Sequence, residues 1–488
     1  MKQYTLALNG FDRRNLISVE SMRQNYERAL NDTFQTLYSK TFKNFEQKNL
    51  FDAVLTYYDP LFWKQTIHPN IPLIFPIHGD AISRQEFLYK HLKYLDSGDL
   101  LIVNCNSDIK ILHQMLNGPR PSIACLHFPI DTGIFKKQDR DYCLDKLSIE
   151  SADLVIGFVG RLIPQKNLHQ FLRMIAVLKK RLSPKNIVGI IAGKYCKPYP
   201  VLDFGTKTYS NFIKNLQKKL GLDQNIYYMG ELSPLQLSYC YGAMDILIHP
   251  TNNLEEAFGL VPVEAMACGV PIIGASYGGL KDTIISGQTG FLMPTWVTST
   301  GIRMDTIYGT NAAFLLLQDK TLREKMSEAC INRVKNLYTY EVFANSLRSI
   351  ITGVIEQRQN KRIQSLVPSE LPSPEQTDRY LPILQKPWEE YLTAVSYYVS
   401  SDLPELKSNS KLQLSSPIYE DDNHIYHLDD PAWPGYFSLQ DHDLKILNLC
   451  HQELSISQLM KFLPVKFEQI EKLIKLGLLI CSNSTTLN

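Results

Sequence analysis

Two carboxylates and two cations carry the chemistry that this chain's residues can do. Glu256 and Glu264 stand eight positions apart within residues 249–269, HPTNNLEEAFGLVPVEAMACG. Between them Phe258-Gly259-Leu260 leads into a helix expected to start near Pro262 and to stop at Gly269, because Pro suits the first helical turn and Gly the position just past the last. The backbone N–H groups of residues 257–260 then point outward at a helix N-terminus, where free donors and a partial positive charge attract an anion. With Glu256 in the loop and Glu264 inside the helix, an acid faces hydroxyl groups on either side of that anion. A phosphate flanked by sugars fits this pattern. Arg161 and Lys166 supply the cations, in GRLIPQKN directly after the apolar run 154–159. An Arg fork and a Lys point charge suit phosphate oxygens, and the helix expected over 168–182 brings a second N-terminus alongside.

Glu-x7-Glu enclosing Phe-Gly-Leu, followed by Glu-Ala-Met-Ala-Cys-Gly-Val-Pro-Ile, resembles the donor-site signature of retaining glycosyltransferases of family 4. The resemblance spans about residues 71–359 and implies an α/β chain of GT-B architecture, with two Rossmann-like domains facing a cleft. It implies that Glu256 meets the donor sugar's hydroxyls, Glu264 the ribose, and the amides of Phe258, Gly259 and Leu260 the diphosphate. Gly160, Arg161 and Lys166 match the family's Gly-Arg…Lys-Asn element, whose cations hold the same diphosphate. By the same resemblance the Gly230-Glu231-Leu232 turn lies against the nucleobase, and His78 lines the cleft beside the reacting sugar. Gly10, after the first strand, is a further point where backbone can approach a ligand, although the family's usual Gly-Gly pair is missing there. The catalytic set is thus Glu256, His78, Arg161 and Lys166. No cofactor is expected beyond a nucleotide-diphospho-sugar co-substrate, a UDP-sugar first. No metal is expected, since cations stand in its place and no DxD-like cluster follows a strand. The activity implied is retaining transfer of a sugar to an acceptor the sequence does not name. The competing reading is a catalytically silent sugar-nucleotide-binding protein that acts through its tail.

The elements that must position these residues follow from periodicity. Short buried runs at 4–8, 53–56, 73–77 and 100–104 read as parallel strands of a first domain, with a long helical pattern from about residue 11 to 48 after the first. Runs at 154–159, 187–193, 226–229, 245–249 and 271–274 read as the strands of a second. Domains are expected at 1–140 and 141–360, with a helix over 340–359 that the resemblance returns to the first domain. Residues 361–430 read as a linker with a docking helix at 388–399, since PSELPSPEQ is rich in Pro, Ser and Glu. Residues 431–488 read as a winged-helix-like module: three helical patterns at 441–450, 455–462 and 467–476, then a strand.

At 488 residues, 44% hydrophobic and a net charge of +2, the chain has the composition of a soluble multidomain protein without a global pull toward nucleic acid. The third helix of the tail sets Lys466, Lys472 and Lys475 against Glu468 and Glu471, too sparse a basic footprint for a DNA-reading helix. Nucleic acid is therefore not an expected partner, and a peptide or protein acceptor is the reading the tail favours. Nine cysteines without CxxC pairs fit a reducing compartment. No run approaches the ~20 apolar residues of a membrane span, and no signal peptide is read. A cytoplasmic location is expected, with peripheral membrane contact left open.

Overall fold

In the computed structural model, residues 4–9, 17–39, 51–56, 71–77, 79, 81–82, 95–115, 121–150, 152–196, 206–254, 256–360 and 394–483 are described. The chain divides into one unit of Met1–Asp131 with Lys335–Lys386, and a second of Thr132–Val334 with Pro387–Asn488.

The first unit is a six-stranded, wholly parallel sheet of β1 (Thr5–Asn9), β2 (Gln35–Ser39), β3 (Ala53–Thr56), β4 (Leu73–Pro76), β5 (Leu100–Val103) and β6 (Ser122–Cys125), in the order β2-β1-β3-β4-β5-β6. The expected helical run to residue 48 is overturned. The helix Ile17–Asn31 ends early and Gln35–Ser39 forms β2, with Thr5 opposite Gln35. Leu30, Phe34 and Leu37 recur at a spacing that a helix tolerates, but Phe34 is buried at the turn and residues 35–39 pair with β1 instead. The helix Tyr340–Asn360 packs Phe343, Leu347, Ile351 and Ile355 against Leu6, Leu55 and Tyr26. Arg358 closes its far end on Asp96 in a buried pair. The helix thus belongs to the first unit.

The second unit has another parallel sheet: β7 (Leu154–Val159), β8 (Ile187–Ala192), β9 (Ile226–Gly230), β10 (Ile246–His249), β11 (Ile272–Ala275) and β12 (Gly290–Met293), ordered β12-β11-β10-β7-β8-β9. Read from the other edge, these are the unit's strands 3-2-1-4-5-6, the doubly wound order whose ligand crevice opens where the order reverses. That reversal lies between β7 and β10, both buried along their whole length. A hairpin, β13 (Thr295–Thr298) and β14 (Gly301–Met304), follows.

The expected domain edge at residue 430 falls inside one packed body. β15 (Lys411–Leu414) pairs with β20 (Leu479–Ser482), setting Leu412 opposite Cys481, and with β19 (Leu454–Ser455). β16 (Ile418–Glu420), β17 (Tyr426–Leu428) and β18 (Gly435–Phe437) form a second small sheet. The three expected tail helices stand at Asp441–Leu449, Ile456–Phe462 and Phe467–Lys475. Their core takes in Leu412 and Leu428 before the expected boundary, and Trp296 and Ile307 from the main part of the unit. Of the 388–399 docking segment, Ala394 and Val395 are buried at the start of a short turn that ends at Tyr398, also buried. PSELPSPEQ lies outside the described residues.

Candidate donor site at the switch point of the second sheet

Every strand of the second sheet runs the same way, so the turns after neighbouring β7 and β10 open on the same edge. After β7 come Gly160, in a left-handed conformation (φ 146°), the half-buried Arg161, and a short turn Pro164–Lys166. Asn167, at φ 58°, ends that turn and starts the helix Leu168–Arg181. Asn tolerates this backbone better than most residues. Its side-chain amide donates to the Pro250 carbonyl at 2.8 Å, and Asn252 N–H donates to the Gln165 carbonyl at 3.2 Å. These bonds stitch the turn after β7 to the loop after β10.

The result is a buried ion pair. Lys166 Nζ meets Glu256 Oε2, with side chains only 12% and 9% exposed, and His249 Nε2 lies 3.8 Å from the same oxygen. Burial pushes the Glu256 carboxyl up, but Lys166 and then His249 outweigh it and hold the group well below the ordinary carboxylate range. Burial lowers the pKa of His249, which Lys166 opposes from being charged as well. Glu256 is thus an ionised acid held between the Lys166 ammonium and the His249 imidazole.

The loop carrying Glu256 is held from beneath by a glycine turn. Gly279 N–H donates to the Glu256 carbonyl at 2.9 Å. A Cβ on Gly278 (φ 52°) would sit 2.1 Å from that same oxygen, and one on Gly279 2.3 Å from the Ala257 carbonyl. Only glycine lets the two segments approach so closely. Tyr398 in turn accepts from Gly278 N–H at 2.9 Å, and Lys281 Nζ donates to the carbonyls of Tyr397 and Val399 at 3.1 and 3.0 Å.

The helix after this loop is Leu260–Ala267. It begins two residues before the expected Pro262, because Gly259 at φ 87° already turns the chain and Pro262 fits within the first turn, where no intrahelical N–H is needed. No side chain caps its N-terminus. Gly269 closes it as expected, with Val270 N–H on the Ala265 carbonyl and Gly269 N–H on that of Met266, a Schellman closure. Phe258 is buried.

Glu264, half-buried on this helix, accepts from Tyr241 Oη at 2.9 Å. Burial lifts its pKa to about 7 against the opposing Tyr241 bond. The folded chain therefore holds this proton more tightly than the unfolded chain does. The stabilising contribution is full below the ordinary Glu value of ~4.3 and is lost as pH rises through about 7. Glu264→Gln is expected to remove that dependence. Melting temperatures of the native and variant chains should diverge in the variant's favour between about pH 5 and 7.5, and a constant difference would refute it.

The remaining expected positions are more dispersed. Gly230 (φ 69°) ends β9, two strands from β7, and Glu231 there is surface-exposed and paired with Lys194 at 2.6 Å. His78 and Gly10 lie outside the described residues. The positioning roles of His249, Asn167, Tyr241, Gly278 and Gly279 were not read from sequence. Of these, Asn167 was singled out there only as part of the Gly-Arg…Lys-Asn element. Among the described residues no group of three or more His, Cys, Asp or Glu gathers as metal ligands, and no helix is long and apolar enough to cross a membrane.

Two α/β units, each with a six-stranded parallel sheet, define the GT-B class of fold. Solved structures agree: sucrose-phosphate synthase from Thermosynechococcus elongatus (TM-score 0.56, 16% identity) matches 73% of this chain and all of its own. Anabaena HepE, solved with UDP-glucose, matches 72% of this chain and all of its own, at TM-score 0.53 and 16% identity. The family described as glycosyl transferases group 1 matches residues 140–299, the segment that holds both Lys166 and Glu256. Curated relatives include D-inositol 3-phosphate glycosyltransferases. That of Corynebacterium efficiens is 27% identical over 52% of this chain and 57% of its own length. That of Mycolicibacterium gilvum is 30% identical over 42% and 45%. The chain thus spans about half the length of these relatives. The resemblance drawn from the sequence stands at the level of group 1 glycosyltransferases of GT-B fold.

Proposed function

We propose that the second unit binds a nucleotide-diphospho-sugar and transfers its sugar, with retention and without a metal, to an acceptor hydroxyl. The observation that carries this reading is the Lys166–Glu256 pair at the sheet's switch point, one loop away from a helix N-terminus that no side chain caps. An ammonium has three donors, so Lys166 can keep Glu256 while giving a hydrogen to a phosphate oxygen. As the anomeric C–O bond breaks, the electron pair leaves with the diphosphate. Arg161, Lys166 and the amides of residues 258–260 then stabilise the growing negative charge, a role that is usually the largest catalytic contribution. Glu256, kept ionised, accepts from the donor sugar's hydroxyls, and Glu264 from the ribose. Departing phosphate oxygen takes the acceptor's proton on the same face of the sugar. The complex of HepE with UDP-glucose supports UDP as the first nucleotide to try.

A thermal scan against UDP, GDP and ADP tests the reading. One diphosphate at a hundred times its dissociation constant should add about 2.7 kcal/mol to stability. Its effect should vanish in Arg161→Ala. Three flat scans would reject a donor site.

A further inference from the structure

The small sheet of β16, β17 and β18 has one face in the core and one in solvent. Inward, Leu428 and Phe437 are buried, with Ile418 and Tyr426 packed beside them. Alternation sends Tyr419, His427 and Tyr436 to the other face. They are direct cross-strand neighbours, Tyr419 opposite His427 and His427 opposite Tyr436. The Tyr419 and His427 rings lie stacked 4.9 Å apart at 9°, and Tyr436 stands edge-on to His427 at 4.8 Å. Both tyrosines are open to water, 55% for Tyr419 and 69% for Tyr436. The solvent face of an antiparallel sheet is ordinarily polar. Three aligned rings there form a ladder that is held in place while its outer members stay uncovered, and such exposed apolar surface marks binding.

The surrounding charge selects among the ligands that aromatic rings take. Residues 420–429 hold four carboxylates at least partly open to solvent (Glu420, Asp421, Asp422 and Asp429) and no Lys or Arg, while Asp430 is buried. Single-stranded nucleic acid needs aromatic rings within a basic groove, and this rim repels phosphodiesters. A quaternary ammonium needs aromatic walls on several sides, whereas Tyr419 and His427 are parallel rungs of an open row. A neutral glycan meets both requirements: the C–H faces of its pyranose rings pack on tyrosine, and its hydroxyls donate to carboxylates. Asp421 is held rigidly beside the ladder. It takes Asn423 and Ile425 N–H at 2.9 Å on one oxygen and lies 2.8 Å from His427 Nε2 on the other.

We propose that the Tyr419–His427–Tyr436 ladder is a binding site for a neutral oligosaccharide chain, distinct from the donor site and carried by the C-terminal body. Its occupancy needs no nucleotide sugar, so it can be tested whether or not transfer is observed.

The experiment is titration of the full chain with linear gluco-, manno- and galacto-hexaoses, of uncharged type, followed by tyrosine resonances and calorimetry. The native chain should bind at least one of them. Tyr436→Ala and Tyr419→Ala should each weaken it about tenfold, and together abolish it. Because both rings are exposed, the melting temperature should stay within a degree or two of native, which keeps loss of binding separate from loss of fold. Three results would overturn the proposal: no hexaose bound by the native chain, equal binding by the double variant, or tighter binding of oligouridylate or a trimethyl-lysine peptide at the same tyrosines.

Discussion

Lys166→Met is expected to cut sugar transfer by about 10²–10³-fold, the cost typical of losing one preorganised donor to developing negative charge. It is also expected to destabilise the chain by about 3–5 kcal/mol, because Glu256 would be left buried without its cation. Its side chain is 9% exposed, and burial lowers the pKa of the neighbouring His249. Glu256→Gln removes the acid instead and should lower turnover comparably while leaving a smaller defect in stability, since Lys166 can reach solvent more readily along its flexible stem. The double variant separates site from scaffold. Two neutral side chains of similar size should recover most of the stability lost in Lys166→Met, yet transfer should stay low. Urea unfolding alongside turnover with UDP-sugars reads both effects. Native turnover in either single variant would show that the pair only holds the loop, and the donor reading would fall with it.

What the sequence made legible was the part that repeats simple physics. Buried parallel strands are short, mostly apolar runs, and β3 and β7 stand at the residues expected, because a strand covered on both faces has little freedom in composition. Lys166 and Glu256 were read as partners at one anion, yet their direct pairing was not, since it depends on Asn167 and Asn252 stitching two loops that lie 85 positions apart. Glu264 was legible as a hydroxyl acceptor, but its raised pKa was not. That depends on the desolvated pocket beside Tyr241, twenty-three positions earlier. β2 was lost inside a helical pattern because Leu30, Phe34 and Leu37 keep the spacing of a helix face, and only pairing with β1 shows that the helix has ended. The domain edge at 430 failed for the same reason. A Pro-rich stretch announces a linker, but nothing local announces that β15, upstream of the supposed edge, pairs with β20 at the far end of the chain.

Arg303→Met should be the most damaging single change to the fold outside the donor site, costing about 3–5 kcal/mol. Arg303 lies on β14 and is 3% exposed. Its Nε donates to the Gly477 carbonyl at 2.9 Å, and its Nη2 to Thr300 Oγ1 at 3.0 Å and the Trp433 carbonyl at 3.3 Å. Asp430 lies close enough to sustain its charge against burial, and is itself held down at about 2, although burial acts the other way, by His169 and then Arg303 and Arg173. Methionine would fill the space but take one donor from each of the Gly477 and Trp433 carbonyls and a nearby positive charge from buried Asp430. If residues 394–483 were an independent module on a tether, the variant would unfold in two steps, with the main sheet unaffected. The packing predicts one shifted transition instead: Trp296 sits in the shared core, and the Trp433 ring covers Gly301 so closely that a Cβ there would lie 2.4 Å from it. Tryptophan fluorescence during urea unfolding distinguishes the two outcomes. A consequence for chemistry follows from the neighbouring residue. The Ile302 carbonyl accepts from Asn252 Nδ2 at 3.2 Å, and Asn252 belongs to the loop that brings Glu256 to Lys166. Loosening β14 should therefore loosen that loop, so turnover of Arg303→Met should fall even at temperatures where the chain remains folded, and native turnover there would mean that the tail and the donor loop are mechanically independent.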